Sequence, residues 1–341
     1  MDIIEIRIAL TPFYLITIGK DDPFYYEVIN KMINELDGLM IECMIENHHM
    51  QFFMEIQYDE ELVKKIFPEC FTSTHLFTIR SNTDLRPFIA ERTEGYKQAL
   101  INERTYENID LYSYCLRDIS EQVEKRIYDI MIAINIAYPG FFQISSGEIL
   151  INNICFEKIS NINNDLVDAY TEWLEKGWPE MIEISFENTW KWICNKTNYL
   201  NEIGRYPIDR ALNALSYSFN SNNYENLFYS LLGIEALYNN DKSGGIMEQI
   251  RTKTACLLGE PENFKKRIKE MYENRSKFVH GRLNFPSKFH IFDAQEEYEK
   301  FMFENYFPTV ATAQSILIAT IRQLIKHNST ELSFRTIIDF K

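Results

Sequence analysis

The sequence predicts an α+β chain, with a mixed α/β N-terminal region followed by an all-α helical bundle. Three observations predict it. Isoleucine-rich runs of alternating polarity, such as "IIEIRIALTPFYLITI", fall in the first half. From Pro207 onward, apolar residues recur at helical spacing between proline starts and glycine stops. Charge divides the same way. Residues 1–200 carry 17 Lys+Arg against 33 Asp+Glu, whereas 201–341 carry 18 against 17. At 341 residues the chain is long enough for two domains.

In chain order, "IIEIRIALTPFYLITI" reads as a strand or hairpin. "DPFYYEVINKMINELDGL" follows as a helix, with Pro23 near its start and Gly38 near its end. "MQFFMEIQY" and "THLFTIRS" read as short strands. The stretch 83–137 is long and helical, with Ile127, Ile130, Met131 and Ile134 on one face. "YPGFFQISSGEILINNICFEKIS" returns to turns and strands. After a polar stretch comes a short helix bearing Trp190 and Trp192. The boundary is placed near residue 198. It separates an N-terminal mixed α/β domain (1–198), for which a sensing or regulatory role is expected from the charge division and resemblance set out below, from a C-terminal helical domain (199–341).

Beyond it, "YPIDRALNALSYSFNS" starts a helix on Pro207. "NYENLFYSLLGIEALYNN" places Leu227, Leu231, Ile234 and Tyr238 at core spacing. "GGIMEQIRTKTACLLG" is framed by glycines, and "PENFKKRIKEMYENRSKFVHG" runs from Pro261 to a stop at Gly281. The loop "RLNFPSKFHIF" leads to a long last helix over 293–327, kinked near Pro308.

Several function classes drop out. No run approaches the ~18 apolar residues of a membrane helix, so no membrane partner is expected. The start "MDIIEIRIALTPFYL" has acids where a signal peptide has a basic region. Cysteines 43, 70, 115, 155, 194 and 256 are scattered without metal-like spacing, and read as reduced, mostly buried thiols of a cytoplasmic protein. His48 and His49 are adjacent in a strand and point to opposite sides, which argues against a shared metal. There is no phosphate loop, G-x-G-x-x-G fingerprint or Ser/His/Asp set, so neither metal nor cofactor is expected.

The net charge of −15 argues against nucleic acid until it is mapped. Residues 251–290 hold ten basic and four acidic side chains, a local net of +6 around "MYENRSKFVHGR". That stretch has the marks of a helix end, with basic residues in the last turn and a glycine stop. It also carries Arg275 and His280, a phosphate-holding cation and a group able to move a proton. Five residues turn ~500° on a helix, so the two side chains diverge by ~140°. Either the last turn unwinds before Gly281, or two copies of the motif face each other across a two-fold axis.

The strings "LLGIEALYNN", "QIRTKTACLLG" and "IKEMYENRSKFVHGR" together resemble the HEPN superfamily, most closely its Apea-like branch, over roughly residues 205–326. The matching features are the Glu-Ala-Leu of the second helix, the Arg and "LLG" of the third, and an R-x4-H motif closing the fourth, on which Arg275 and His280 fall. The resemblance implies a HEPN-type helical bundle acting as a homodimeric, metal-independent endoribonuclease in phage defence or toxin-like growth arrest. It implies Arg275 and His280 as catalytic residues. In that chemistry an RNA 2′-hydroxyl attacks its adjacent phosphate while the leaving 5′-oxygen is protonated. An imidazole titrates near neutrality and suits either proton transfer, and a guanidinium fork holds the phosphoryl oxygens as charge builds.

Other residues are weighed beside these. Ser276 stands where many active members carry Asn, Asp or His; its hydroxyl can still bond a phosphate or orient the histidine. Glu235 lies on the core side of its helix and needs a partner, with Arg251, Arg210 and Arg275 as candidates for a structural ion pair. Lys277, Arg282 and Lys288 either steer RNA or form a solvated basic face. His290 reads as a loop histidine, and the aromatics of "SYCLRDIS" and "FENYF" as core. The −16 charge of residues 1–200 suggests that the N-terminal domain masks the basic cleft until a phage or regulatory trigger arrives. The alternative is a non-catalytic HEPN module that binds RNA, a nucleotide or a protein partner.

Overall fold

A computed structural model of the 341-residue chain describes residues 2–10, 23–45, 48–70, 73–103, 110–201, 204–219, 223–239, 245–283 and 300–335. The fold is α+β. Contacts divide the chain into two units, one formed by Met1–Met131 with Phe141–Asn163 and the other by Ile132–Gly140 with Asn164–Lys341.

The first unit is built on an antiparallel six-stranded sheet of order β2-β3-β4-β1-β5-β6. Its strands are β1 (Asp2–Leu10), β2 (Met40–Ile45), β3 (His48–Tyr58), β4 (His75–Thr83), β5 (Ile144–Ile151) and β6 (Ile154–Ile159). The alternation in β1 sends Ile4, Ile6 and Ile8 fully into the core. Glu5 and Arg7 take the other face, where Glu5 meets Arg7 at 2.5 Å and Arg80 at 2.7 Å. Helices α1 (Pro23–Leu36), α2 (Glu60–Ile66) and α3 (Arg86–Glu103) complete it, together with α4 (Leu111–Ala137) as far as Met131, the end of that helix from Ile132 belonging to the second unit. The four residues Ile127, Ile130, Met131 and Ile134 are all buried, as their spacing predicts. Strand β2 and helix α2 escape the sequence reading. The strand's outward residues Met40 and Met44 are themselves apolar, which blurs the alternation, and α2 is two turns long, too short for a period to show. Residues 11–18 of the expected hairpin lie outside the described residues.

The second unit contains α5 (Val167–Lys176), α6 (Phe186–Lys196), α7 (Pro207–Ser216), α8 (Asn223–Tyr238), α9 (Ile246–Leu258), α10 (Phe264–Val279) and α11 (Phe307–Lys326). A π-helical turn, Met302–Tyr306, precedes α11 and marks the irregularity expected near Pro308. Helix α11 is buried along nearly its whole length and forms the axis of the bundle. Its Arg322 is 1% exposed. The guanidinium donates to Ile136 O (2.8 Å), Ala137 O (2.7 Å), Ile182 O (3.1 Å) and the Tyr170 hydroxyl (3.0 Å). Two of those carbonyls end α4, where a helix leaves acceptors unpaired at its negative pole, so among the described residues the buried cation is satisfied without a carboxylate. Gly233 lets α8 lie close on α11: a Cβ there would sit 3.0 Å from Leu317.

The division between units falls at 163/164, not near residue 198. Residues 164–198 pack with the helices: Ser315 Oγ donates to Ala169 O at 3.1 Å, Arg267 meets Glu172 at 3.3 Å, and Trp192 Nε1 donates to Ser329 O at 3.1 Å. Helix α5 hides its inner stripe because that stripe includes a charged residue, Glu172, itself buried. Of the six free cysteines, Cys155, Cys194 and Cys256 are exposed, so half are buried where the sequence reading has most buried.

Candidate functional site

Helix α10 turns Phe264, Ile268, Met271 and Asn274 inward, a stripe at helical spacing that docks it in the bundle. Asn274 is anchored by its Nδ2, which donates to Thr309 Oγ1 at 3.2 Å. The helix stays regular to its end. The His280 amide donates to Ser276 O (3.0 Å), Gly281 N to Phe278 O (3.1 Å) and Arg282 N to Lys277 O (2.7 Å). With Gly281 at φ 63°, this is a Schellman cap. The last turn does not unwind, so the ~140° divergence of Arg275 and His280 persists. A single chain does not gather the two side chains on one face.

Arg275 is half-buried against α8, its guanidinium carbon 6.0 Å from the centre of the Phe228 ring. One turn earlier, the Tyr272 hydroxyl donates to Glu235 Oε1 at 3.3 Å. Burial pushes the Tyr272 phenol upward, the Glu235 carboxylate adds to the shift, and Arg275 opposes it. The three charged or phenolic groups therefore form one electrostatic cluster on the α8–α10 surface. The expected ion pair of Glu235 is corrected: its partner is Tyr272, and among the described residues it pairs with no arginine. Arg251 instead meets Glu248 on its own helix at 2.5 Å, and Arg210 donates to Arg205 O at 3.3 Å. Pairing within one helix at i,i+3 needs no tertiary alignment. Glu235 is only half-buried, so a phenol suffices.

His280, Ser276, Lys277 and Arg282 are exposed at the α10 terminus. Lys288 and His290 lie outside the described residues. Much of the basic charge upstream is paired: Lys266 with Glu270 at 3.7 Å, Lys269 with Glu273 at 3.4 Å, and Arg267 with the buried Glu172. Lys277 points elsewhere, its Nζ 5.7 Å from the Phe301 ring at the edge of a polar cleft of about 460 Å³ between α10 and the start of α11. Among the described residues no three His, Cys, Asp or Glu side chains are placed to share a metal. His48 and His49 go to separate carboxylates, Glu91 at 3.4 Å and Glu42 at 3.3 Å.

Phe228 and Tyr272 are not among the residues that the sequence singled out for the site. A signal was present: Phe228 and Glu235 are seven apart on α8, and Tyr272 and Arg275 three apart on α10, so each pair shares a helix face. Chemically, the surface offers a permanently charged fork braced by an aromatic ring, a carboxylate occupied by a phenol, and an accessible imidazole at the helix end. No family model matches the chain, and neither does any curated protein or any solved structure.

Proposed function

We propose that this chain is a metal-independent endoribonuclease of HEPN type that works as a homodimer, with Arg275 holding the scissile phosphate and His280 transferring protons. The observation that carries the reading is the state of these two side chains. Among the described residues neither enters an ion pair, although Arg275 is half-buried and braced. A purely structural arginine in that setting normally finds a carboxylate, and Glu235 is close enough to act on the same tyrosine. A regular α10 also separates the pair, which supports a site in which an arginine of one protomer meets a histidine of the other. In that cleft the imidazole takes the 2′-hydroxyl proton, the 2′-oxygen attacks the phosphorus, and the 5′-oxygen leaves with a returned proton. The guanidinium fork stabilises the charge gathering on the non-bridging oxygens. A role in phage defence or growth arrest belongs to the same proposal.

The test is to incubate purified protein with a mixed RNA pool in EDTA, beside Arg275→Ala and His280→Ala variants of matched oligomeric state. Cleavage by the parent, reduced about 100-fold or more in each variant, is expected. Cleavage unaffected by either change rejects the assignment. RNA retention without cleavage supports the second reading, a non-catalytic module, which Ser276 favours: among the described residues its hydroxyl makes no bond to His280.

A further inference from the structure

We propose that Tyr217, Tyr229 and Phe228 form a stacking rail for the bases of single-stranded RNA, leading to the phosphate held at Arg275. The inference rests on the ribonuclease reading above and names how its substrate is held. Tyr217 closes α7, Phe228 and Tyr229 are consecutive on α8, and Arg275 comes from α10, so three helices converge on this strip. The two tyrosine rings lie nearly parallel, 15° apart with centroids at 5.0 Å. Tyr229 meets Phe228 edge to face at 5.5 Å, and Arg275 lies 6.0 Å from the Phe228 ring. The result is an unbroken series of ring contacts ending in a cation.

Tyr217 is 60% exposed even with Tyr229 stacked on its ring, so much of it faces solvent. Core packing does not require an aromatic there. An exposed aromatic ring at one end of this series, and at the other a guanidinium that pairs with no carboxylate among the described residues, supply the two contacts that hold a single strand: stacking for the bases and charge for the backbone. Every base presents a π-face, so the rail reads single-strandedness and not sequence. Paired bases hide their faces, and duplex RNA is correspondingly excluded.

The experiment measures binding of a labelled, cleavage-resistant 2′-O-methyl single strand by fluorescence anisotropy in EDTA across a salt series. Oligomeric state is followed by sedimentation, and unmodified RNA is assayed for cleavage alongside. Tyr217→Ala is expected to weaken binding roughly 5- to 100-fold with an unchanged salt slope, and Tyr217→Phe to restore it, because stacking releases no counterions. Arg275→Ala is expected to reduce the slope by about 0.7. Binding by Tyr217→Ala within twofold of the parent overturns the rail while leaving the ribonuclease reading intact. Loss of binding that accompanies loss of the oligomer overturns it too, since the strip is then a contact between protein copies. A parent that binds no single strand overturns both. A working rail on a parent that does not cleave unmodified RNA upholds this inference and removes the catalytic assignment alone.

Discussion

Arg275 illustrates how a residue type and its surroundings divide the work. The cation is permanent, but its usefulness depends on a planar fork held in place, here by the Phe228 ring at 6.0 Å. Arg275→Lys keeps the charge and loses the fork and the stacking face. If the chain is the ribonuclease proposed above, RNA cleavage by that variant falls at least about tenfold, with the thermal melt within a few degrees of the parent. Equal cleavage would show that charge alone is needed. Tyr272 is the complementary case. Tyr272→Phe leaves the Glu235 carboxylate without its hydroxyl donor, and is expected to cost about 1 kcal/mol in denaturant unfolding. An unchanged midpoint would show that solvent already serves Glu235.

Two elements decide how the site is presented. The end of α10 depends on Gly281, whose φ of 63° is left-handed. The space a methyl group would enter is empty, so Gly281→Ala carries backbone cost alone, about 1 kcal/mol. Faster amide exchange confined to residues 277–282 is the expected signature. Helix α5 holds a different tension. Burial raises the Asp168 carboxyl to about 6, and the neighbouring Asp165, Glu172 and Glu175 push the same way. A raised folded value means that this group's contribution to stability is present below its ordinary value of 3.8 and is lost as pH rises through about 6. Asp168→Asn is therefore expected to stabilise the protein at pH 7 by on the order of 1–3 kcal/mol and to flatten the pH dependence between about 4 and 6. Parallel stability curves for parent and variant over that window would refute the assignment.

At the scale of the molecule, the helical unit is larger than its most periodic helices suggest. It includes Ile132–Gly140, and the carbonyls of Ile136 and Ala137 serve the buried Arg322. A fragment of residues 199–341 lacks those acceptors, the Tyr170 hydroxyl and the Glu172 partner of Arg267. It is expected to show no cooperative melt, whereas independent folding of that fragment would sink this account of the bundle. Arg322→Leu strands several buried oxygens at once and is expected to lower stability by on the order of 3 kcal/mol or more in thermal unfolding.

Much of this was legible in the chain itself. Alternation in β1 and 3.6-residue spacing in α8, α10 and α11 are local patterns, and local patterns survive in sequence because each residue's burial follows from its neighbours on the same element. The glycine stop after His280 and the resulting divergence of the two motif side chains belong to that class too. Tertiary structure alone decided the rest. The sequence left α5 unread because its buried face includes Glu172, which, besides Lys176 one turn on, is held by Arg267 and Thr312 about a hundred residues or more away. It offered three arginines to Glu235, and packing of α8 on α10 chose a tyrosine. Arg322 reads in sequence as one more cation on a helix. Only the arrival of α4's end makes it a buried staple, because unpaired carbonyls are a property of where a helix stops in space.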